Sequence, residues 1–146
     1  YEKEFCCLAL DIDNFKIINS KYGHQAGDEV LQDISDLMKD NLRLTDIHAR
    51  YGDNRFICLL PETNMEQSVN FSKRLRRLLE GKKVLHRDTN EAINTTISIG
   101  IAAWNPVKDK DVDSNNIINQ AETALEIAKK SGGNRIQCYA EIPAES

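Results

Sequence analysis

Apolar and polar positions follow several distinct periods along the chain, and each change of period marks an element. Phe5 to Ile12 is an apolar, partly β-branched run that carries Asp11 and is followed by Asp13. It reads as a buried strand with acids at its carboxyl end. From Gln25 to Leu42, Val30, Ile34, Leu37 and Met38 recur at helical spacing and predict an amphipathic helix. Ile47 to Tyr51 and Phe56 to Leu60 are strand-like and flank Gly52-Asp53-Asn54-Arg55, so the pair predicts a β-hairpin that Pro61 ends. Met65, Val69, Leu75, Leu78 and Leu79 give a second long helix, and the alternation of Ile97, Ile99 and Ile101 within Thr96 to Ala102 gives another strand. Ile117, Ala121, Ala124, Leu125 and Ala128 mark a third helix stopped by Gly132-Gly133, and Ile136 to Tyr139 closes with a final strand. The order β-α-β-β-α-β-α-β predicts an α/β (α+β) domain, a mixed-direction sheet of about five strands with helices packed on it.

Composition narrows the setting. At 146 residues the chain matches one domain, which buries roughly two-thirds of its unfolded surface. It carries no linker, internal repeat or low-complexity tract. The net charge of −4 argues against a general binder of nucleic-acid polymers or membrane surfaces, which would be basic. A small anionic ligand held by a few local arginines stays compatible with it. No apolar run approaches the roughly 20 residues of a membrane span, and the opening YEKEFCCLALD is not a signal peptide. Cys6, Cys7, Cys58 and Cys138 lie inside apolar segments without metal-ligand spacing, as reduced structural cysteines of a cytoplasmic protein would.

The candidate chemistry starts at Asp11 and Asp13. Standing one residue apart at a strand end, the two acids are expected to point to opposite faces, so that only one can face a given site. A carboxylate there can hold Mg²⁺ on a triphosphate, because Mg²⁺ uses one or two protein carboxylates plus phosphate oxygens. A solvated strand end is the other reading. The basic run Lys73, Arg74, Arg76, Arg77, Lys82 and Lys83 spreads over more than one helix face and reads as solvated. His24, His48 and His86 are scattered and receive no catalytic role.

Read together, the segments become specific. DIDNFKIINSKYGHQAGDEVL (11–31) resembles the opening of the GGDEF family, the diguanylate cyclase domains of bacteria, and ARYGDNRFICLLP (49–61) sits where that family carries its signature hairpin. TISIGIAAW (96–104) and QAETALEIAKKSGGNRI (120–136) are similar to its later strand and its last helix and strand. The resemblance implies a nucleotide-cyclase-like palm fold in which two GTP-loaded domains condense their substrates to cyclic di-GMP. It assigns Asp11 to the strand-end metal ligand, Asn19 and Asp28 to the guanine edge, and Lys16 and Lys129 to phosphate. A carboxylate accepting from guanine N–H groups and a flexible ammonium near phosphate suit those roles.

The hairpin departs from the pattern. Arg50, Tyr51, Gly52 and Phe56 match, but Asp53 stands for the second glycine, Asn54 for the metal-binding acid, and Arg55 for the following glutamate. Gly133 replaces an arginine that the family places near phosphate. A carboxylate from Asp53 or Asp13 is a conceivable substitute for the lost acid. Several losses from one site imply a domain without useful cyclase activity, since even one electrostatic group can be worth about two powers of ten in rate. Arg43-Leu44-Thr45-Asp46, with five residues between Asp46 and Gly52, matches by contrast the family's RxxD motif, where product binds as an inhibitor. Arg74 matches a further arginine of that site. Arginine forks suit phosphates and guanine Hoogsteen edges.

The reading is therefore a single GGDEF-like domain over residues 1–146, cut from a larger protein, that binds cyclic di-GMP through Arg43, Asp46 and Arg74. GTP at the remnant site (Asn19, Asp28, Lys16, Lys129) is the alternative, as is residual cyclase activity or a pure docking domain. No cofactor is required, with Mg²⁺ expected only alongside bound GTP. The expected partners are cyclic di-GMP, GTP on the alternative reading, neighbouring domains and a ligand-bridged second copy, with no nucleic-acid polymer and no membrane contact from this segment, whose parent protein can itself be membrane-anchored.

Overall fold

A computed structural model describes residues 3–82, 84–111 and 113–142, apart from the side chain of Tyr51. Five strands, β1 (Phe5–Ile12), β2 (Ile47–Tyr51), β3 (Arg55–Pro61), β6 (Ile97–Trp104) and β7 (Ile136–Cys138), form one sheet in the order β2-β3-β1-β6-β7. All neighbours are antiparallel except β6 and β7, which run parallel. The expected mixed sheet is thus present, and its strands fall on the five predicted segments.

β1 lies at the centre, so both of its faces are covered. Leu8, Leu10 and Ile12 join Phe56, Ile99 and Ile101 under α2 (His24–Asn41) and α3 (Met65–Gly81), whose apolar stripes supply Val30, Ile34, Met38, Leu75 and Leu79. Cys7 and Ala9 face the opposite way, where α4 (Ile117–Lys130) packs Ala121 and Leu125 against Ala102. That second layer is unusually close. A Cβ on Gly100 would lie 2.1 Å from the Ala121 carbonyl oxygen and 2.3 Å from the Leu125 nitrogen, so α4 rests on bare β6 backbone. Asn64 and Gln67 form a reciprocal capping box that fixes the start of α3.

Two features go beyond the sequence reading. A short helix, α1 (Phe15–Tyr22), precedes α2 and is separated from it by Gly23, whose φ of 93° few other residues adopt. A two-stranded ribbon, β4 (Val84–Leu85) with β5 (Ala92–Ile93), follows α3. All four cysteines are buried and outside any disulfide. Burial pushes the Cys6 thiol up to about 11 and the Cys7 thiol up to about 12. Among the described residues no helix is long and apolar enough to cross a membrane.

Candidate functional site

Strand pairing brings the first candidate residues together. Asp11 sits opposite Arg55 in the β1–β3 register and opposite Ser98 in the β1–β6 register, at the sheet end where the β2–β3 turn also lies. A cavity of about 620 Å³ opens there, lined by Asp11, Lys16, Asn19, Asp28, Lys129, the turn residues Asp53–Arg55, and Arg50. The remnant-site residues expected from the sequence therefore share one cavity. α1 contributes its first turn, which holds no acid and no side-chain cap, so its positive end lines the same space.

Gly27 explains the placement of Asn19. A Cβ there would lie 1.9 Å from Asn19 Oδ1, so the missing side chain is the room the amide occupies. Asn19 Oδ1 is buried without a hydrogen-bond partner. Asp28, the next residue along α2, is exposed at the cavity wall.

The acid end of the cavity is internally satisfied. Asp11 is buried and its Oδ2 accepts from Lys129 Nζ at 2.7 Å and from Arg55 Nη2 at 3.3 Å. Its Oδ1 accepts from Asn54 Nδ2. Arg55 also reaches across to α4, to Glu126 at 2.9 Å and Glu122 at 3.4 Å. Glu122, Glu126 and Lys129 fall on one stripe of α4, which places two acids and a base over the hairpin. The sequence reading missed both glutamates. The signal was available, since an arginine that replaces an acid calls for acids facing it.

Asp13 does not take the vacant acid's place. It accepts from Thr96 Oγ1 and Ser98 Oγ, both at 2.7 Å, and from the Asn134 backbone N–H at 2.8 Å. The expectation that Asp11 and Asp13 take opposite strand faces is wrong, since residues two apart on a strand share a face; they part because β1 ends at Ile12, which frees Asp13 to turn toward the loop after α4. Gly133, in that loop at φ 72°, leaves room for Asp13: a Cβ there would stand 3.0 Å from its Oδ1. On the hairpin, the Asp53 carbonyl accepts from Arg50 Nη2 at 3.1 Å.

The RxxD residues form a second, smaller cavity of about 190 Å³, lined by Arg43, Asp46, Thr63, Gln67, Phe71 and Arg74. Arg43 makes a fork to Asp46 (3.0 and 3.3 Å) and donates to the Pro61 carbonyl and to Thr63 Oγ1, each at 2.7 Å. The Asp46 carboxylate raises the Arg43 pKa further, so the guanidinium stays charged. Arg74 comes from α3, with its guanidinium 5.5 Å from the Phe71 ring centroid. Three residues separated by up to 31 positions thus meet on one wall, whereas Lys73, Arg76 and Arg77 do not line this cavity.

Residues 1–135 match the family model described as the diguanylate cyclase GGDEF domain. The chain belongs to the GGDEF family. It is 38% identical over 130 residues to diguanylate cyclase A of Treponema denticola, covering 88% of this chain and 33% of that protein. It is 36% identical over 132 residues to diguanylate cyclase DosC of Escherichia coli K12, covering 90% of this chain and 28% of that protein. The chain therefore spans about a third or less of these curated relatives. Among solved structures it is similar to the GGDEF domain of DgcB from Caulobacter crescentus in complex with c-di-GMP, with TM-score 0.86 and 27% identity over 94% of this chain and 79% of that one.

A GGDEF domain with this architecture implies Mg²⁺ beside Asp11, and the residues present do not fit it. Mg²⁺ demands oxygen ligands in near-octahedral array. Here the carboxylate of Asp11 is covered by an ammonium, a guanidinium and an amide nitrogen, and the adjoining turn offers Asn54 where an acid would be needed. Among the described residues no group of three or more metal-ligating side chains converges anywhere.

Proposed function

We propose that this GGDEF domain makes no cyclic di-GMP and instead binds it, through Arg43, Asp46 and Arg74, as a regulatory module of a longer cytoplasmic protein. The observation that carries the reading is the unequal fate of the two cavities. At one, Asn54 and Arg55 stand where acids would hold a metal, and Asp11, Arg55 and Lys129 are paired with each other. At the other, a charged arginine fork, its aspartate and a second arginine converge on a cavity beside Phe71. The complex of the similar DgcB domain with c-di-GMP supports the ligand class.

The chemistry is apt on its own terms. A bis-phosphate with two guanines offers acceptors on its phosphates and Hoogsteen edges, which guanidinium forks match in two-pronged fashion. Asp46 already orients Arg43, which reduces the ordering cost of binding. Such a ligand also has two equivalent halves, so it can bridge two copies of the domain.

Isothermal titration with cyclic di-GMP tests the proposal. Arg43→Ala should weaken binding by one to two powers of ten, from about 1.5–3 kcal/mol for a charged hydrogen bond. Absence of binding up to about 100 μM by folded protein, or binding that Arg43→Ala leaves intact, rejects it. A second reading, guanine-nucleotide binding at the larger cavity, is supported by the convergence of Asn19, Asp28 and Lys16 with the uncapped start of α1. Titration with GTP, with Asp28→Ala as control, decides that one.

A further inference from the structure

Two side-chain cations are already built into the acid end of the larger cavity. Arg55 Nη2 and Lys129 Nζ converge on a single oxygen of Asp11, at 3.3 and 2.7 Å, and Asn54 Nδ2 takes the other oxygen. A divalent ion reaching Asp11 would have to displace two cations from a carboxylate that is only 3% exposed. It would also find no second acid at residue 54. Arg55 and Lys129 pair with Asp11, whose lone carboxylate would otherwise repel phosphate groups at this end of the cavity, while Glu122 and Glu126 share Arg55. Glu122 and Glu126 hold Arg55 over the site from α4, so the internal cation keeps its position when the cavity is empty.

We infer that this cavity binds guanine nucleotides without a divalent metal, with Arg55 and Lys129 standing in the metal's place. The inference rests on the nucleotide reading of the cavity given above. The phosphates then meet Lys16 and the N–H groups of the first turn of α1, and Asp11 faces them already neutralised. Metal-free binding follows from the donor set: with the cations supplied by side chains, added Mg²⁺ gains no new ligands on the protein, so free and Mg²⁺-bound nucleotide bind alike.

GTP is titrated into the full chain in EDTA and again in Mg²⁺, and Mn²⁺ is titrated into nucleotide-free protein with electron paramagnetic resonance as readout. The expected result is a dissociation constant that agrees within about threefold between the two buffers, and no Mn²⁺ bound at about 1 mM. Asn54→Asp/Arg55→Gln, which returns an acid and removes a cation, should acquire Mn²⁺ binding and make GTP affinity rise with metal. Circular dichroism checks that this variant folds, and the two wild-type titrations decide the question without it. Tenfold tighter GTP binding in Mg²⁺ than in EDTA, or Mn²⁺ bound by the wild-type chain, overturns the inference while leaving the nucleotide reading intact. Failure to bind GTP in either buffer overturns the nucleotide reading itself, and this inference falls with it.

Discussion

Arg55→Ala should destabilise the domain by about 2–5 kcal/mol, because one guanidinium holds together three acids from two elements. The gross attraction between Arg55 and Asp11 at 3.3 Å is about 5 kcal/mol at an effective dielectric constant near 20. Desolvation of both partners leaves a net of about 1.5–3 kcal/mol for a hydrogen bond between charged groups. The contacts to Glu122 and Glu126, whose side chains are 30% and 48% exposed, are screened and add about 0.2–1 kcal/mol each. Lys129 and Asn54 stay on Asp11 after the substitution, so the buried carboxylate is not orphaned and the larger penalties of an unpaired buried charge do not apply. Urea unfolding of wild type, Arg55→Ala, Asp11→Asn and the double variant measures both the loss and the coupling. The expected coupling between Arg55 and Asp11 is about 1–3 kcal/mol. An Arg55→Ala variant within about 0.5 kcal/mol of wild type, with no coupling to Asp11, would refute the reasoning.

Other outcomes follow from the same contacts. Gly100→Ala should cost about 1–3 kcal/mol in urea unfolding, since its Cβ meets α4 backbone that cannot rotate away; wild-type stability would contradict the close seat of that helix. Gly27→Ala should displace the Asn19 amide, since its Cβ would lie 1.9 Å from Asn19 Oδ1 and 3.2 Å from the Phe15 ring, so GTP titration of the folded variant should lose affinity; unchanged affinity would contradict this placement of Asn19. Incubation with GTP and Mg²⁺ or Mn²⁺ should yield no cyclic dinucleotide by chromatography, and a product peak would show that the altered hairpin still catalyses. The thiols set an alkaline limit. Cys6 and Cys7 keep their protons in the folded state up to about 11 and about 12, against an ordinary 9.0, so the unfolded chain binds fewer protons in that interval. Stability is therefore full below pH 9 and declines as pH rises toward those values, by up to about 1.4 kcal/mol per thiol per pH unit. A urea midpoint unchanged between pH 7.5 and about 10.5 would contradict this.

Much of the scaffold was legible because its signals are local. Each of the five sheet strands carries its own apolar pattern, and α2, α3 and α4 show helical stripes that need no knowledge of the partner surface. α1 was harder to see. Its eight residues expose Lys16 and Ile17 and bury only Phe15 and Ile18, so periodicity is too short to separate it from the loop, and Gly23 was its main punctuation. The β4–β5 ribbon has two residues per strand, below any pattern that sequence can carry.

At the sites, the residues singled out from the sequence line shared cavities, but the wiring between them is tertiary. That Lys129 and Arg55 share one oxygen of Asp11 depends on strand register and on where α4 crosses the sheet. Asp13 illustrates the limit best. Its chemistry matched a replacement metal ligand, yet the end of β1 at Ile12 turns it toward Thr96, Ser98 and Asn134, and only the backbone path decides that.

The contact between α4 and Gly100 has a consequence for how such a domain can change over time. Since bare backbone sets the seat of that helix, residues around Asp11 can alter their identity without altering their address. A charge at this end of the sheet can change sign while the backbone that carries it stays where it is. Overall shape therefore reports the family, and the chemistry of the site has to be read from the charges at a handful of fixed addresses.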